Sequence, residues 1–175
     1  TNCDVAVVTV TVGAPLISAV DDAVGGVNGL TGATAVLDVF TNDQLNGVAV
    51  NPTDVTLTET IADATGALTL NANGTVDVAA GTPTGTYTLT YQICENLNPT
   101  NCDVAVVTVT VGAPLISAVD DAVGGVNGLT GATAVVNVFT NDELNAVAVN
   151  PADVTLTETV ADPTGNLILN PNGTV

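Results

Sequence analysis

The side chains of this chain that can do chemistry are its carboxylates and its cysteines. The 175 residues include 18 Asp and Glu and three Cys, with no Lys, Arg or His. The chain therefore has no imidazole base, no Schiff-base lysine and no Ser-His-Asp triad. Carboxylate pairs can serve glycoside hydrolysis, but two Tyr, two Phe and no Trp offer little aromatic surface to hold a sugar. The composition predicts a protein that is not an enzyme.

Two acidic clusters occur twice along the sequence. "AVDDA" contains Asp21 and Asp22, and "FTNDQ" contains Asn42 and Asp43. The same clusters return at Asp120, Asp121, Asn141 and Asp142. Calcium takes about six to eight oxygen ligands, which carboxylates, Asn side chains and loop carbonyls supply. These residues are candidate calcium ligands, and the alternative is that they are solvated loop acids, since no EF-hand spacing is present.

Two cysteines lie at the ends of alternating apolar segments. If Cys94 pairs with Cys102 across a hairpin, the large Tyr91 faces the small Ala105 and the core face closes. That face comprises Tyr87, Leu89, Tyr91, Ile93, Ala105, Val107, Val109 and Val111. A redox or metal site is the alternative, but two cysteines without His lack the ligands of a structural zinc site. The pattern favours a cross-strand disulfide and hence an extracellular setting.

The segments of sequence that carry these residues occur twice along the chain. Residues 1–76 align without gaps to residues 100–175, with ten differences. We interpret residues 1–12 as the last strand of a preceding repeat, 13–111 as a complete repeat and 112–175 as an incomplete one. Cys3 then matches Cys102, and its partner would precede Thr1. The sequence has no initiator Met, signal peptide or anchor, so we expect targeting to be encoded elsewhere or already removed.

The local pattern is β throughout. Seven strands are predicted in the complete repeat, a number typical of an immunoglobulin-like sandwich. They are Leu16–Val20, Ala35–Phe40, Val55–Ile61, two strands around 68–70 and 76–78 joined by the loop Ala72-Asn73-Gly74, and the two cysteine-bearing strands. Gly25-Gly26 is interpreted as a break, and Tyr87 as a possible tyrosine corner. The short linker 112–114 predicts tandem sandwiches in a head-to-tail rod.

Two valines face the wrong way for an exposed sheet. Val104 and Val106 share the outer face with Cys102, as do their counterparts Val5 and Val7. Alternation predicts polar residues there. One explanation is a β-bulge near Val106-Val107 that turns some of them inward. The other is lateral contact with a neighbouring chain or sheet.

Two stretches resemble a known family. "AVDDAVGGVNGLTGATAVLDVFTND" resembles the opening of bacterial immunoglobulin-like and cadherin-like tandem repeats, and "GTYTLTYQICENLNPTNCDVAVVTVTV" resembles their closing strands. The likeness is greatest to giant cell-surface adhesins of Bacteroidota, including those of flavobacterial gliding motility. It implies repeats that build long surface filaments exported across the outer membrane. Phe40 stands where the family has Leu, and nothing here resembles a C-terminal sorting domain.

These observations predict a structural stalk module of a secreted bacterial surface filament or adhesin. The alternatives are a carbohydrate-binding module and a filament subunit joined by strand donation. Expected partners are neighbouring repeats of the same chain and like chains in a filament. Nucleic acid and anionic membranes are excluded because the chain has no cations, and no apolar run approaches the roughly 20 residues that span a bilayer. The expected location is the cell surface.

Overall fold

The computed structural model describes residues 2–175 and divides into two units, Thr1–Ala113 and Pro114–Val175. Thr1, part of the predicted strand 1–12, lies outside the described residues. Unit 1 contains ten strands and a 3-10 turn at Val39–Thr41. The strands are β1 Ile17–Ser18, β2 Asp22–Asn28, β3 Ala33–Asp38, β4 Gln44–Leu45, β5 Val48–Ala49, β6 Val55–Ile61, β7 Leu68–Leu70, β8 Thr75–Val78, β9 Gly85–Glu95 and β10 Cys102–Gly112.

Unit 1 is an all-β sandwich. One sheet has the order β2-β10-β9-β6, and the facing layer is formed by β3-β8-β7 with the small sheet β1-β4-β5 at its side. Val76, Val78 and Leu68 of one layer meet Leu89 and Val107 of the other in a single buried cluster. The alternation of apolar residues along each strand puts one face of each sheet into this cluster. The predicted all-β immunoglobulin-like sandwich is confirmed, and the head-to-tail rod stays a prediction.

The cysteine-bearing hairpin has the predicted register. β9 and β10 are antiparallel, with Cys94 opposite Cys102 and Tyr91 opposite Ala105. Cys94 and Cys102 form a disulfide with Cα atoms 4.1 Å apart. The ladder continues without a shift to Val111 opposite Gly85. The β-bulge proposed near Val106-Val107 was therefore wrong.

The second predicted hairpin also has the expected register. Leu70 pairs with Val76 and Leu68 with Val78. The Gly74 N–H donates to the Asn71 carbonyl at 2.9 Å, and Gly74 has φ +91°. This is a tight turn followed by a left-handed glycine, which is the arrangement that a three-residue loop favours.

The first long strand was not predicted. β2 runs through Gly25-Gly26 and pairs in parallel with β10, so the glycines do not break the chain here. Thr110 pairs with Gly25 and Val111 with Val27, which leaves Gly26 as the extra residue of a bulge. Gly26 has φ +74°, a backbone conformation in which a Cβ is unfavourable. The glycines mark a β-bulge inside a strand. With the two-residue strands β4 and β5, β2 raises the count from seven to ten.

Unit 2 has fewer strands. It contains β11 Ile116–Ser117, β12 Glu143–Leu144 and β13 Val147–Ala148 in one small antiparallel sheet, with a 3-10 turn at Pro151–Asp153. A cleft of about 1290 Å³ lies in this unit, lined by residues that include Val123, Val135 and Leu169.

Residues 2–12 repeat the sequence of 101–111 but form no strand among the described residues. Val5 and Val7 are each 88% exposed, and Cys3 is exposed without a disulfide partner in the described part of the chain. Across residues 2–175, no helix is long and apolar enough to cross a membrane.

Candidate functional site

The acidic cluster of unit 1 converges on a tyrosine hydroxyl. Asp22 is the first residue of β2, and Asp43 follows the 3-10 turn and precedes β4. The Tyr91 Oη lies 3.1 Å from Asp22 Oδ2 and 3.1 Å from each carboxylate oxygen of Asp43. Tyr91 and Asp43 are fully buried, and Asp22 is 9% exposed. The carbonyls of Val20 and Val39 lie at 3.3 and 3.5 Å from the same hydroxyl.

This arrangement favours the retention of a proton on one of the two acids. A tyrosine hydroxyl has one hydrogen to donate, yet two carboxyl groups and two carbonyls surround it. If both carboxylates were ionised, one would face the lone pairs of the phenol oxygen with no hydrogen between them. When one of the two acids is protonated, it can donate to Tyr91 while Tyr91 donates to the other. The Val20 N–H donates to Asp43 Oδ1 at 2.7 Å, which favours Asp43 as the ionised partner.

Burial and like charge set the titration of this cluster. The pKa of Asp22 is raised to about 6, chiefly by burial; hydrogen bonds from Tyr91 and Asn42 oppose the rise, and the charges of Asp43 and Asp21 contribute to it. Burial also raises the pKa of Asp43, with contributions from Asp103 and Asp38. The pKa of Tyr91 is raised by its burial and then by the two neighbouring carboxylates. These shifts keep the cluster partly protonated in the pH range where exposed aspartates are ionised.

The other predicted ligands lie at the rim of the cluster. The Asn42 side-chain amide donates to the Asp21 carbonyl at 3.2 Å, and Asp21 Oδ1 accepts from the Val106 N–H at 2.8 Å. Asp21, Asp22 and Asn42 line a shallow cavity of about 290 Å³. The cavity is open, but the Tyr91 hydroxyl behind it is fully buried. The cluster can hold a proton next to this cavity.

The predicted calcium ligands of unit 1 are arranged around the Tyr91 hydroxyl. Both carboxylate oxygens of Asp43 are directed at Tyr91, and Asp22 is directed at the same hydroxyl. Among residues 2–175, no group of three or more His, Cys, Asp or Glu side chains is placed to hold a metal ion. Calcium needs several oxygen ligands that converge on one point, whereas these converge on a hydrogen-bond donor. Calcium binding therefore stays a prediction from the sequence.

Unit 2 keeps only the local part of this arrangement. The Val119 N–H donates to Asp142 Oδ1 at 2.8 Å, and the Asn141 amide donates to the Asp120 carbonyl at 3.3 Å. In unit 1, the Val20 N–H makes the same bond to Asp43, and the Asn42 amide makes the same bond to the Asp21 carbonyl. Asp121, the counterpart of Asp22, is exposed, and no counterpart of Tyr91 is among the described residues. The loops alone therefore bring the acids near each other, and β9 supplies the tyrosine that organises them.

The sequence analysis did not assign two residues, Tyr91 and Asp103, to this site. Tyr91 was assigned to the core only, although a buried tyrosine hydroxyl needs a polar partner. Acidic residues at neighbouring strand ends could have supplied that partner. Asp103 was not considered; its Oδ2 accepts from the Ala19 N–H at 2.9 Å and adds negative charge near Asp43. The tyrosine corner is present, since the Tyr87 hydroxyl donates to the Pro83 carbonyl at 2.8 Å.

The parallel β2–β10 pairing, the two facing layers and the tyrosine corner define unit 1 as an immunoglobulin-like β-sandwich. Comparisons with protein-family models and with curated proteins found no match. Among solved structures, the chain is similar to the third cadherin domain of human protocadherin 7, at 14% identity and a TM-score of 0.41, over 61% of this chain and 92% of that one.

A second similar structure is a set of extracellular cadherin domains 1–4 of protocadherin gamma B7, at 13% identity and a TM-score of 0.41, over 63% of this chain and 28% of that one. A third is a SusE-like surface located polysaccharide binding protein from the Bacteroides thetaiotaomicron heparin utilisation locus. It is 15% identical with a TM-score of 0.37, over 58% of this chain and 15% of that one. Likenesses at this level identify neither a family nor a function.

Proposed function

We propose that this chain is a repeat module from the stalk of a secreted bacterial surface adhesin or filament, and that its role is structural rather than catalytic. The observation that carries the proposal is the 99-residue period, seen as residues 1–76 recurring at 100–175, in which one period holds an entire sandwich. A module of this kind extends a chain by repetition and needs no active site. The sequence resemblance to Bacteroidota adhesin repeats supports the same proposal.

The disulfide supports an extracellular location. Disulfides persist in oxidising compartments and are rare in the cytosol. The Cys94–Cys102 bond closes the β9–β10 hairpin, whose strands are the central pair of the larger sheet. Its small loop stabilises the fold by roughly 2–3 kcal/mol in the chain-entropy model. A stalk outside the cell benefits because opening of this hairpin would expose the core to proteases.

A carbohydrate-binding role has less support. Sugar-binding surfaces usually present exposed aromatic rings, and the four aromatic residues of this chain are otherwise engaged. Tyr91 is fully buried, Phe40 is 7% exposed, and the Tyr87 hydroxyl is bonded to Pro83. Phe139 is half-buried in unit 2. A glycan array that gave specific binding would favour this function over the stalk.

Arrays of one, two and three complete repeats would test the stalk proposal. Small-angle scattering should give a maximum dimension that rises by a constant increment of roughly 35–40 Å for each added repeat, the length expected of strands of about ten residues. Trypsin is uninformative because the chain has no Lys or Arg, so protease resistance would be measured with thermolysin. Compact arrays whose dimension does not grow with repeat number would contradict the proposal.

Strand donation is the second candidate, and it is supported by two features of this chain. Unit 2 has an apolar cleft, and residues 2–12 are an exposed copy of the β10 sequence. The test is a synthetic oxidised hairpin of residues 85–112 added to the 175-residue chain. Strand donation predicts that the hairpin binds and raises the unfolding temperature of unit 2. No binding at high micromolar concentration would remove this candidate.

Calcium binding is a separate proposal that rests on the recurrence of the acidic clusters in both copies. A calorimetric titration with calcium at pH 7 would test it. Heat that is lost in an Asp22→Asn variant would support a site in unit 1. No heat, together with unfolding that is unchanged by a chelator, would remove the proposal.

A further inference from the structure

The outer face of the larger sheet carries no charge. On this face the β9 residues Thr86, Thr88 and Thr90 lie opposite three β10 residues. In the same order, these are Thr110, Thr108 and Val106. We define the threonine face as the outward-facing residues of the four strands of this sheet, β2, β6, β9 and β10. Gln92 lies within it, between Thr58 of β6 and Val104 of β10. Val104 is 49% exposed and Ile61, at the edge, is 64% exposed.

The absence of charge follows from strand register. Among the described residues of β2, β6, β9 and β10 there are four carboxylates, and each pairs with a residue of the core face. Asp22 pairs with Val107, Glu59 with Tyr91, Glu95 with Val55 and Asp103 with Ile93. Because neighbouring residues on a strand alternate between faces, none of these acids reaches the threonine face. Asp21 lies at its border, where its side chain is held by the Val106 N–H.

The opposite layer of the sandwich differs. Asp77 pairs with Thr69, and Asp38 pairs with Thr75, on the side away from the buried Val76 and Val78. That outer face therefore carries carboxylates. Only one of the two broad faces of unit 1 is neutral, although the chain has 18 acidic residues and no cation.

From this asymmetry we infer that the threonine face is a contact surface for a second copy of the same chain. Two copies that met through any face with carboxylates would bring like charges together without a cation to compensate them, which costs several kcal/mol. The threonine face avoids this repulsion. Its hydroxyls are both donors and acceptors, so they can bond to those of a second copy, and its methyl groups and valines supply apolar area.

A basic partner fits this face poorly, because it would be attracted to the carboxylates elsewhere on the molecule. The second copy is the occupant that matches a neutral, hydroxyl-rich surface on a uniformly acidic chain. The inference is independent of the stalk proposal, since a contact between copies can be measured whether or not the module extends a surface protein.

The size of the face sets the strength of the contact. Four strands spaced about 4.8 Å apart and roughly 7–11 residues long give an area of roughly 500 Å² per copy. A face-to-face pair would bury roughly 1,000 Å² in total, which is at the lower limit for specific interfaces and typical of weak, transient ones. We therefore expect association of single chains only at high concentration, and stronger association where several repeats align.

Salt dependence distinguishes this contact from an ionic one. Raising the salt concentration screens the repulsion between two acidic chains, so association through a neutral face strengthens. An interface held by ion pairs would weaken under the same change. The measurement is sedimentation equilibrium of the 175-residue chain in 10 mM and 500 mM sodium chloride. We expect the association constant to rise roughly tenfold or more with salt.

Substitutions at Thr88 test whether the contact between copies lies on the threonine face. Thr88→Asp places a charge at the centre of the face and should lower the association constant by roughly tenfold or more. Thr88→Asn, which is polar and neutral, should leave it within about twofold, as should the control Ala72→Asp, which adds the same charge at an exposed turn. If Thr88→Asp does not fold, concentration-dependent NMR shifts of the native chain give the answer, and they should centre on residues 86–90 and 106–110.

Four results would overturn the inference. The chain could stay monomeric at all salt and protein concentrations, or salt could weaken its association. Alternatively, Thr88→Asp could associate as strongly as the native chain, or the NMR shifts could centre elsewhere. That outcome would place the contact at another surface, such as the cleft of unit 2 or residues 2–12.

Discussion

At the scale of single residues, the Tyr91 hydroxyl explains why two acids can be buried in a chain without cations. A buried carboxylate usually needs a positive partner, because its desolvation is otherwise uncompensated. Below about pH 6 Asp22 keeps its proton, and Tyr91 supplies a hydrogen bond to Asp43. The cluster therefore replaces a salt bridge with a chain of hydrogen bonds and one retained proton.

The retained proton predicts an unusual pH dependence. The pKa of Asp22 is raised from an ordinary 3.8 to about 6 in the folded state. A raised pKa contributes stability that is full below about pH 4 and is lost as the pH rises through about 6. This rise in pKa corresponds to at most about 3 kcal/mol, and solvent screening at the open cavity reduces that figure. The free energy of unfolding of unit 1 should therefore be larger at pH 4.5 than at pH 7.5, measured by urea denaturation.

The repeat offers a matched control for this prediction. Asp22→Asn should remove most of the pH dependence, because the amide replaces the protonated acid, whereas Asp121→Asn at the exposed counterpart should preserve it. The pKa values of Asp63, Asp77 and Asp162 are lowered by hydrogen bonds, so their stabilisation is lost only in more acidic solution. Equal stability of the native chain at both pH values would contradict the shared proton.

Removing the buried Tyr91 hydroxyl should lower the free energy of unfolding more than removing the half-buried Tyr87 hydroxyl. Tyr91→Phe leaves Asp43 buried with the Val20 N–H as its remaining donor, and an unsatisfied buried polar group costs about 1–3 kcal/mol. Tyr87→Phe removes the bond to Pro83 at a half-buried position, where a hydrogen bond contributes about 1 kcal/mol. Urea denaturation of the two variants compares them. A Tyr91→Phe variant as stable as the native chain would contradict the proposed role of the hydroxyl.

At the scale of elements, the turn between β4 and β5 differs between the copies in an informative way. Asn46 and Gly47 both have positive φ, at 55° and 73°, as a two-residue hairpin turn requires. In unit 2 the same turn is Asn145-Ala146, and Ala146 has φ 60°. A left-handed conformation costs a residue with a Cβ about 1–2 kcal/mol.

We therefore expect Ala146→Gly to stabilise unit 2 by about 1 kcal/mol, and Gly47→Ala to destabilise unit 1 by a similar amount. Denaturant unfolding of the two single variants against the native chain measures both effects. Changes of the same sign in the two variants would show that the turn strain is not the cause.

Much of the β architecture could be predicted from local pattern. The alternation of apolar residues and the cysteine positions predict the β9–β10 register, and the Asn-Gly-containing loop predicts the β7–β8 register. β2 could not be predicted, because its glycines resemble a turn until β10 is present to pair with them. Of the site, Asp22 and Asp43 were found as acids near strand ends. The role of Tyr91 depends on long-range packing that one strand's pattern does not contain.

At the scale of the whole molecule, uncompensated charge is the dominant electrostatic feature. The formal net charge is −18 at neutral pH, with no internal ion pairs possible between side chains. Two like charges 10 Å apart repel by about 0.4 kcal/mol in water. Several such pairs sum to on the order of 1–2 kcal/mol, and salt screens them.

Sodium chloride should therefore raise the unfolding temperature of this protein, unlike that of a protein held by surface ion pairs. Calorimetry in 10 mM and 500 mM sodium chloride measures the effect. Calcium chloride at matched ionic strength is the control. A larger rise with calcium than with sodium would indicate specific ion binding, and no rise with either salt would contradict the repulsion argument.

The parallel pairing of β2 with β10 has a mechanical consequence. Asp22 pairs with Val107 at one end of this ladder, and Asn28 pairs with Gly112 at the other. Force applied near residue 14 and at residue 112 pulls the two strands in opposite directions along their length, so the ladder hydrogen bonds share the tension. Force applied at residues 28 and 112 pulls at the same end and opens the bonds one at a time. In an optical trap, unit 1 should rupture at a markedly higher force in the first geometry than in the second.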